Sequence, residues 1–155
     1  MNTKTQLENI YSKLARKNNE LNVQLDKTKE ELGLVHKALL LDFLQVIDTF
    51  EQAEAAIEEK RWNENELANK SIKRLLTAKK KMLSIFEKHG VVSMNFEKNI
   101  ANDNDCKTID TEHDEEYPNN YILSLEKKGY TISKEKNGQM IKENLRLAEV
   151  IIVKK

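Results

Sequence analysis

A heptad pattern of apolar residues runs through the first forty residues of the chain. One core position of the heptad is occupied by Tyr11, Asn18, Leu25, Leu32 and Leu39. The other core position is occupied by Leu7, Leu14, Leu21, Thr28 and Val35. Eight of these ten residues are apolar, and a single helix cannot bury so narrow a stripe by itself. The pattern predicts a coiled-coil helix over residues 1–39, in which the heptad positions from Leu7 to Leu39 span roughly 50 Å at about 1.5 Å per residue.

No other part of the sequence has a heptad pattern of this length, so we expect the same segment of a second copy to be the partner. Asn18 favours a parallel pair, because a buried amide at core position a fixes register at a cost in stability. The alternative is a solvated single helix that docks elsewhere. The main expectation is an elongated homodimer.

Residues 40–90 are almost free of helix breakers. Three of the four glycines and the only proline lie at or beyond Gly90. A wider apolar stripe begins at Leu40, and a second stripe ends before Lys88, His89 and Gly90, which is typical of a helix C-terminus. We expect two short helices here, which form a four-helix bundle in the dimer. The expected dimerisation residues are Leu14, Asn18, Leu21, Leu25, Leu32, Leu44, Ile47, Phe50, Leu75 and Leu83.

Beyond Gly90 the apolar period changes from the helical value towards two. Alternation around Ile122 and the β-branched run at residues 150–153 predict strands, and Asn137-Gly138 favours a tight hairpin turn. An acidic stretch between Asp103 and Glu116 is predicted to form loops. The fold class is α+β, with residues 91–155 forming a small, mostly antiparallel β module.

Composition limits the partners and the compartment. Lys+Arg and Asp+Glu both number 26, so no net charge attracts nucleic acid or an acidic membrane. No apolar run approaches the roughly 18 residues that a membrane span needs, and the polar N-terminus does not resemble a signal peptide. A single cysteine, Cys106, fits a reducing compartment. We expect a soluble cytoplasmic protein without nucleic-acid or membrane partners.

Several short segments occur in a characteristic order behind the coiled coil. They read FLQVIDTFEQA at residues 43–53, FEKHGV at 86–91, KKGY at 127–130, and LRLAEV at 145–150 followed by IVK at 152–154. This order resembles the GrpE family, the nucleotide exchange factors of DnaK-type heat-shock chaperones, over essentially the whole chain. The chain departs from the usual family sequence at three places. Gln45 occupies a position where the family usually has a proline, and the family's Phe-Asp-Pro and His motif is missing. The connection between Tyr130 and Arg146 is also longer than the family's usual short turn. These departures favour a divergent chaperone as partner.

The resemblance implies a mechanism without bond chemistry. One β module of the dimer is expected to bind the opened nucleotide-binding domain of the chaperone and so to accelerate ADP release, without binding nucleotide itself. Lys128, Tyr130 and Arg146 are the expected contact residues, together with contacts from the long helix. Each also has a structural interpretation, since Tyr130 suits a core, Lys128 a solvated surface and Arg146 either one.

The residue inventory argues against an enzyme and against a resident cofactor. Cys106 and His113 lie in a polar segment without further zinc ligands, and no Gly-rich phosphate loop occurs. Asp103-Asn104-Asp105 begins like a calcium loop, but Lys107 and Thr108 occupy the next ligand and glycine positions. The competing interpretation is a structural coiled-coil dimer that presents two β modules to an unrelated assembly.

Overall fold

A computed structural model describes residues 3–136 and 138–155. The chain divides into two compact units, one ending at Leu40 and the other comprising Leu41–Lys155. The fold class is α+β, and the helices precede the strands in the sequence. None of the helices in the described residues is long and apolar enough to cross a membrane.

Helix α1 spans Thr3–Glu59 as one uninterrupted helix of 57 residues, and α2 spans Glu66–Lys88. The expectation of a separate short helix after the coiled coil is therefore wrong, because residues 40–57 continue α1. The physical reason is that Gln45 keeps the backbone N–H that a proline would lack, so the helical hydrogen bonding continues. The dimeric four-helix bundle involves a second copy and stays a prediction.

The helical part of the second unit has a small apolar core. Leu44 and Ile47 of α1 are fully buried, and Phe86 of α2 is 6% exposed. Helix α2 ends at Lys88 as predicted, and Gly90 takes the left-handed conformation at φ 76°. The Gly90 carbonyl then accepts a hydrogen bond from the Ser133 N–H at 2.9 Å, which ties the helix end to the β module.

Within the described part of the chain, six strands form two three-stranded sheets. The first contains β1 (Val91–Ser93), β4 (Tyr130–Lys136) and β5 (Gln139–Arg146), all antiparallel in the order β1-β4-β5. The second contains β2 (Cys106–Glu112), β3 (Ile122–Lys127) and β6 (Ala148–Val153) in the order β2-β6-β3, with β2 and β6 parallel. The module is thus mixed, and mostly antiparallel as predicted.

Strand β2 corrects the expectation that the whole acidic stretch forms loops. Cys106–Glu112 pairs along its length with β6, while its acidic side chains Asp110 and Glu112 remain exposed. This is possible because β2 lies at the sheet edge, where carboxylates reach water, and because its other residues include β-branched Thr108 and Ile109. The predicted hairpin turn falls between β4 and β5, but Asn137 lies outside the described residues.

Each sheet has its own buried residues. Tyr130, Ile132 and Leu145 are at most 5% exposed in the first sheet, and the second packs around Cys106, Ala148, Val150 and Ile152. Gly129 lies where the two sheets meet, and a Cβ atom there would come within 2.8 Å of the Ala148 nitrogen. Glycine is therefore required immediately before β4, because the backbones approach too closely for a side chain.

Candidate functional site

The structure brings Lys128, Tyr130 and Arg146 together. Tyr130 begins β4 and Arg146 ends β5, and the antiparallel register pairs these two residues directly. The Arg146 guanidinium donates two hydrogen bonds to the Lys128 carbonyl, at 3.2 Å from Nε and 2.9 Å from Nη2. The three predicted contact residues thus form one cluster at the base of the β4–β5 hairpin.

Arg146 is also paired with Asp48 of helix α1. Both terminal guanidinium nitrogens lie 2.7 Å from separate Asp48 oxygens, which is the bidentate geometry of a strong charge-assisted pair. The side chains are only 19% and 14% exposed, so water screens the pair weakly. The Arg146 Cζ atom lies 5.5 Å from the centre of the Tyr130 ring, close enough for a cation–π interaction.

A second set of charges continues from this pair. Lys128 Nζ lies 2.7 Å from Glu51 of α1, and Lys79 of α2 lies 3.6 Å from the same carboxylate and also pairs with Glu54. Asp48 and Glu51 are three residues apart and therefore share one face of α1. We call Asp48, Glu51, Glu54, Lys79, Lys128 and Arg146 the junction network. It links both helices to the β module.

Tyr130 packs against Arg146 of the junction network and is 2% exposed. Burial is the largest cause that raises the pKa of its phenol, to about 12, and the carboxylate of Glu51 adds to the effect. Arg146 opposes the shift, because a nearby cation favours the phenolate. At neutral pH the ring is therefore a neutral packing element that supports the Arg146 side chain.

The members of this cluster differ in what they offer to a partner. The Lys128 side chain is 44% exposed, whereas Arg146 is largely enclosed and Tyr130 is buried. Of the three side chains, only that of Lys128 is substantially exposed to solvent, and Arg146 holds its backbone carbonyl by two hydrogen bonds. Within the described part of the chain, no group of three or more His, Cys, Asp or Glu side chains is arranged to hold a metal ion.

Sequence reasoning did not identify the acidic half of the junction network. The available signal was Lys79, which lies on the apolar face of α2 in register with Ile72 and Phe86 and is 8% exposed. A lysine at a core position of an amphipathic helix indicates a buried carboxylate partner. Glu51 and Glu54, one and two helical turns after buried Ile47, are the carboxylates that meet this requirement.

The predicted dimerisation residues fall into three groups. Leu14, Leu21, Leu25 and Leu32 are all more than half exposed along α1, and Asn18 is exposed among them. Half-buried residues form a second group, in which Phe50 and Leu75 line a surface groove of about 460 Å³ and Leu83 lies further along α2. Leu44 and Ile47 form the third group and belong to the core within the protomer.

Comparison with known proteins now supplies the family. The sequence profile of GrpE matches residues 1–154, which is essentially the whole chain. A comparison with curated proteins gave no match. The described architecture, a long helix, a second helix and a C-terminal β module, is the element order expected from the resemblance. The chain therefore belongs to the GrpE family, whose members are nucleotide exchange co-chaperones of DnaK-type proteins rather than enzymes.

Proposed function

We propose that this chain is a cytoplasmic homodimer that accelerates ADP release from a DnaK-type heat-shock chaperone. The observation that carries this proposal is the GrpE match over residues 1–154. A match confined to the coiled coil would be compatible with many structural proteins. This one includes both the helices and the β module, so the complete exchange factor is the activity that the sequence best supports.

The mechanism is differential binding. The factor binds the opened form of the chaperone's nucleotide-binding domain more tightly than the closed form, and ADP favours the closed form. Each ligand therefore lowers the affinity of the other by the same factor, because the coupling free energy is reciprocal. No group of the factor needs to touch the nucleotide.

Lys128, Tyr130 and Arg146 form the proposed chaperone-contact site. Lys128 makes the direct contact through its half-exposed side chain, whose ammonium group Glu51 orients. Arg146 positions Lys128 by donating to its backbone carbonyl while paired with Asp48, and buried Tyr130 supports the guanidinium. This division of roles assigns affinity to one exposed cation and geometry to two enclosed side chains.

Dimerisation is the second part of the proposal. In a single protomer, Leu14, Leu21, Leu25 and Leu32 form a row of exposed apolar side chains, which is more apolar surface than one helix normally leaves in water. A second copy of the same helix would cover it. The groove lined by Phe50 of α1 and Leu75 of α2 is a second apolar surface that the same second copy would cover.

The decisive experiment is stopped-flow release of a fluorescent ADP analogue from the DnaK-type chaperone of the same organism. We expect the wild-type factor to accelerate release. Lys128→Gln should weaken chaperone binding and exchange in parallel, by about five- to thirtyfold, since an interfacial cation contributes about 1–2 kcal/mol. Circular dichroism and light scattering establish that fold and assembly are unchanged.

Lys127→Gln is the matched control. The two lysines are adjacent and similarly exposed, at 46% and 44%, but Lys127 pairs with Glu149 in the second sheet rather than with the junction network. The control should retain exchange within about twofold of wild type. Equal losses in both variants would contradict the assigned site, and no acceleration by the wild-type protein would contradict the function.

A further inference from the structure

The outer face of helix α2 carries cations that the exchange mechanism does not use. Six basic residues lie from Lys70 to Lys81, and no acidic residue lies among them. Lys79 is enclosed in the junction network, whereas the other five are exposed. We call these five the basic face, and they are Lys70, Lys73, Arg74, Lys80 and Lys81.

The geometry of the helix directs the basic face away from the core. At about 100° per residue, Lys70 and Lys81 lie on the side of α2 opposite the buried residues Lys79 and Phe86. The apolar groove that contains Leu75 opens on a different side. The basic face is therefore accessible in the protomer and remains accessible when a second copy packs on the Leu75 side.

None of these five cations forms an ion pair in the described part of the chain. Lys70 and Arg74 are four residues apart, a spacing at which like charges destabilise a helix. Small residues Thr77 and Ala78 lie between the cations and leave a shallow groove of about 450 Å³. The surface thus combines unpaired positive charge with room for side chains.

We infer that the basic face is a docking surface for a short acidic segment of a partner protein. From Lys70 to Lys81 the face extends about 16 Å, the length of about five extended residues. The same compact unit carries the acidic edge strand β2 and the acidic residues 114–116, which repel a long polyanion. A short acidic peptide matches the length of the basic face, whereas duplex nucleic acid or an anionic membrane extends far beyond it.

The test uses the full-length protein and a short fluorescent peptide of consecutive glutamates, with binding followed by fluorescence anisotropy. We expect saturable binding at low ionic strength that is lost in about 1 M salt, where the Debye length is about 3 Å. Changing Lys70, Lys73, Arg74 and Lys81 together to Gln should weaken binding at least about tenfold, since several modest charge interactions are removed. A variant with Arg at the three lysine positions should bind like wild type.

The matched control changes Lys13, Arg16, Lys29 and Lys37 of α1 to Gln. It also removes three lysines and one arginine from exposed helical positions, so the change in net charge is the same. Its peptide binding should stay within about twofold of wild type. Absence of peptide binding, equal loss in the control, or tighter binding of duplex DNA or phosphatidylserine vesicles than of the peptide would overturn the inference. Circular dichroism on every variant verifies that the helices are intact.

Discussion

Arg146 and Asp48 form a bidentate ion pair between residues that are 98 positions apart in the sequence, with both nitrogen–oxygen distances at 2.7 Å. The pair joins the last residue of β5 to helix α1. Because its guanidinium is committed to Asp48 and to the Lys128 carbonyl, Arg146 controls where the base of the hairpin lies relative to that helix segment. The orientation of Lys128 follows from this arrangement.

The first prediction concerns the strength of this pair. Arg146→Ala and Asp48→Ala should each lower the free energy of unfolding by about 2 kcal/mol or more, because each leaves a largely enclosed charge without its partner. The double variant should lose less than the sum. We expect a coupling energy of roughly 1–3 kcal/mol in a double-mutant cycle measured by urea unfolding.

Lys134 and Glu143 provide the control cycle for that measurement. They pair across β4 and β5 at 3.2 Å, but their side chains are 39% and 50% exposed. Solvent screening should limit their coupling to less than about 1 kcal/mol. If the Arg146–Asp48 coupling is no larger than this, the pair does not hold the module to the helix.

Local patterns in the sequence predicted the main elements well. The heptad and the wider apolar stripe identified the helices, and the β-branched run identified β6. The boundary near residue 40 between separate helices was wrong, because a change from a narrow to a wide apolar stripe does not by itself break a helix. Strand β2 was missed because its acidic side chains suit both an exposed edge strand and a loop.

The site was predictable only in part for a similar reason. The resemblance to GrpE selected Lys128, Tyr130 and Arg146, which the structure brings into one cluster. Their partners Asp48 and Glu51 lie 77 or more residues earlier in the chain, and no local pattern joins residues at that separation. Only the buried position of Lys79 indicated that carboxylates would be enclosed nearby.

The second prediction is a dependence of stability on high pH caused by Tyr130. The pKa of its phenol is about 12 in the folded protein and near 10 when unfolded. Above about pH 10 the unfolded state releases this proton while the folded state retains it, so the free energy of unfolding falls. The contribution is complete below about pH 10 and is lost as the pH approaches 12.

Tyr130→Phe isolates this contribution, because it removes the ionisable hydroxyl and keeps the ring beside Arg146. Urea unfolding at a series of pH values from 8 to about 11 should show a steeper loss in wild type than in the variant. Absorbance titration should show one of the four tyrosines ionising later than the others. Parallel pH profiles for the two proteins would contradict the assignment of the dependence to Tyr130.

The third prediction tests the proposed dimer through Asn18. This residue occupies a core position of a helix segment whose neighbours Leu14, Leu21 and Leu25 are all more than half exposed in the protomer. Asn18→Leu should raise the thermal stability of the coil and weaken its strict preference for two strands, because the buried amide no longer specifies register. Light scattering should detect species larger than dimers in the variant.

Wild-type light scattering provides the first check on this argument, since a monomer at micromolar concentration would exclude the dimer. Asn22→Leu is a useful companion variant, because it makes the same chemical change one helical turn later at an exposed position outside the heptad core. It should leave the assembly dimeric. A similar shift to larger species in both variants would indicate nonspecific apolar association.

The fourth prediction is that the coil melts before the rest of the protein. The chain divides into compact units at Leu40, and the coil has Asn18 and Thr28 in its core with Gly33 beside it. Each polar core residue lowers the apolar area buried on pairing, and Gly33 lowers helix stability by about 1 kcal/mol relative to alanine. Circular dichroism should therefore show a reversible transition at low temperature, followed by a second one.

Two variants assign these transitions. A protein that lacks residues 1–38 should show only the second transition, and Gly33→Ala should raise the midpoint temperature of the first transition alone. A single cooperative transition that is unchanged by the truncation would show that the coil has no separate stability.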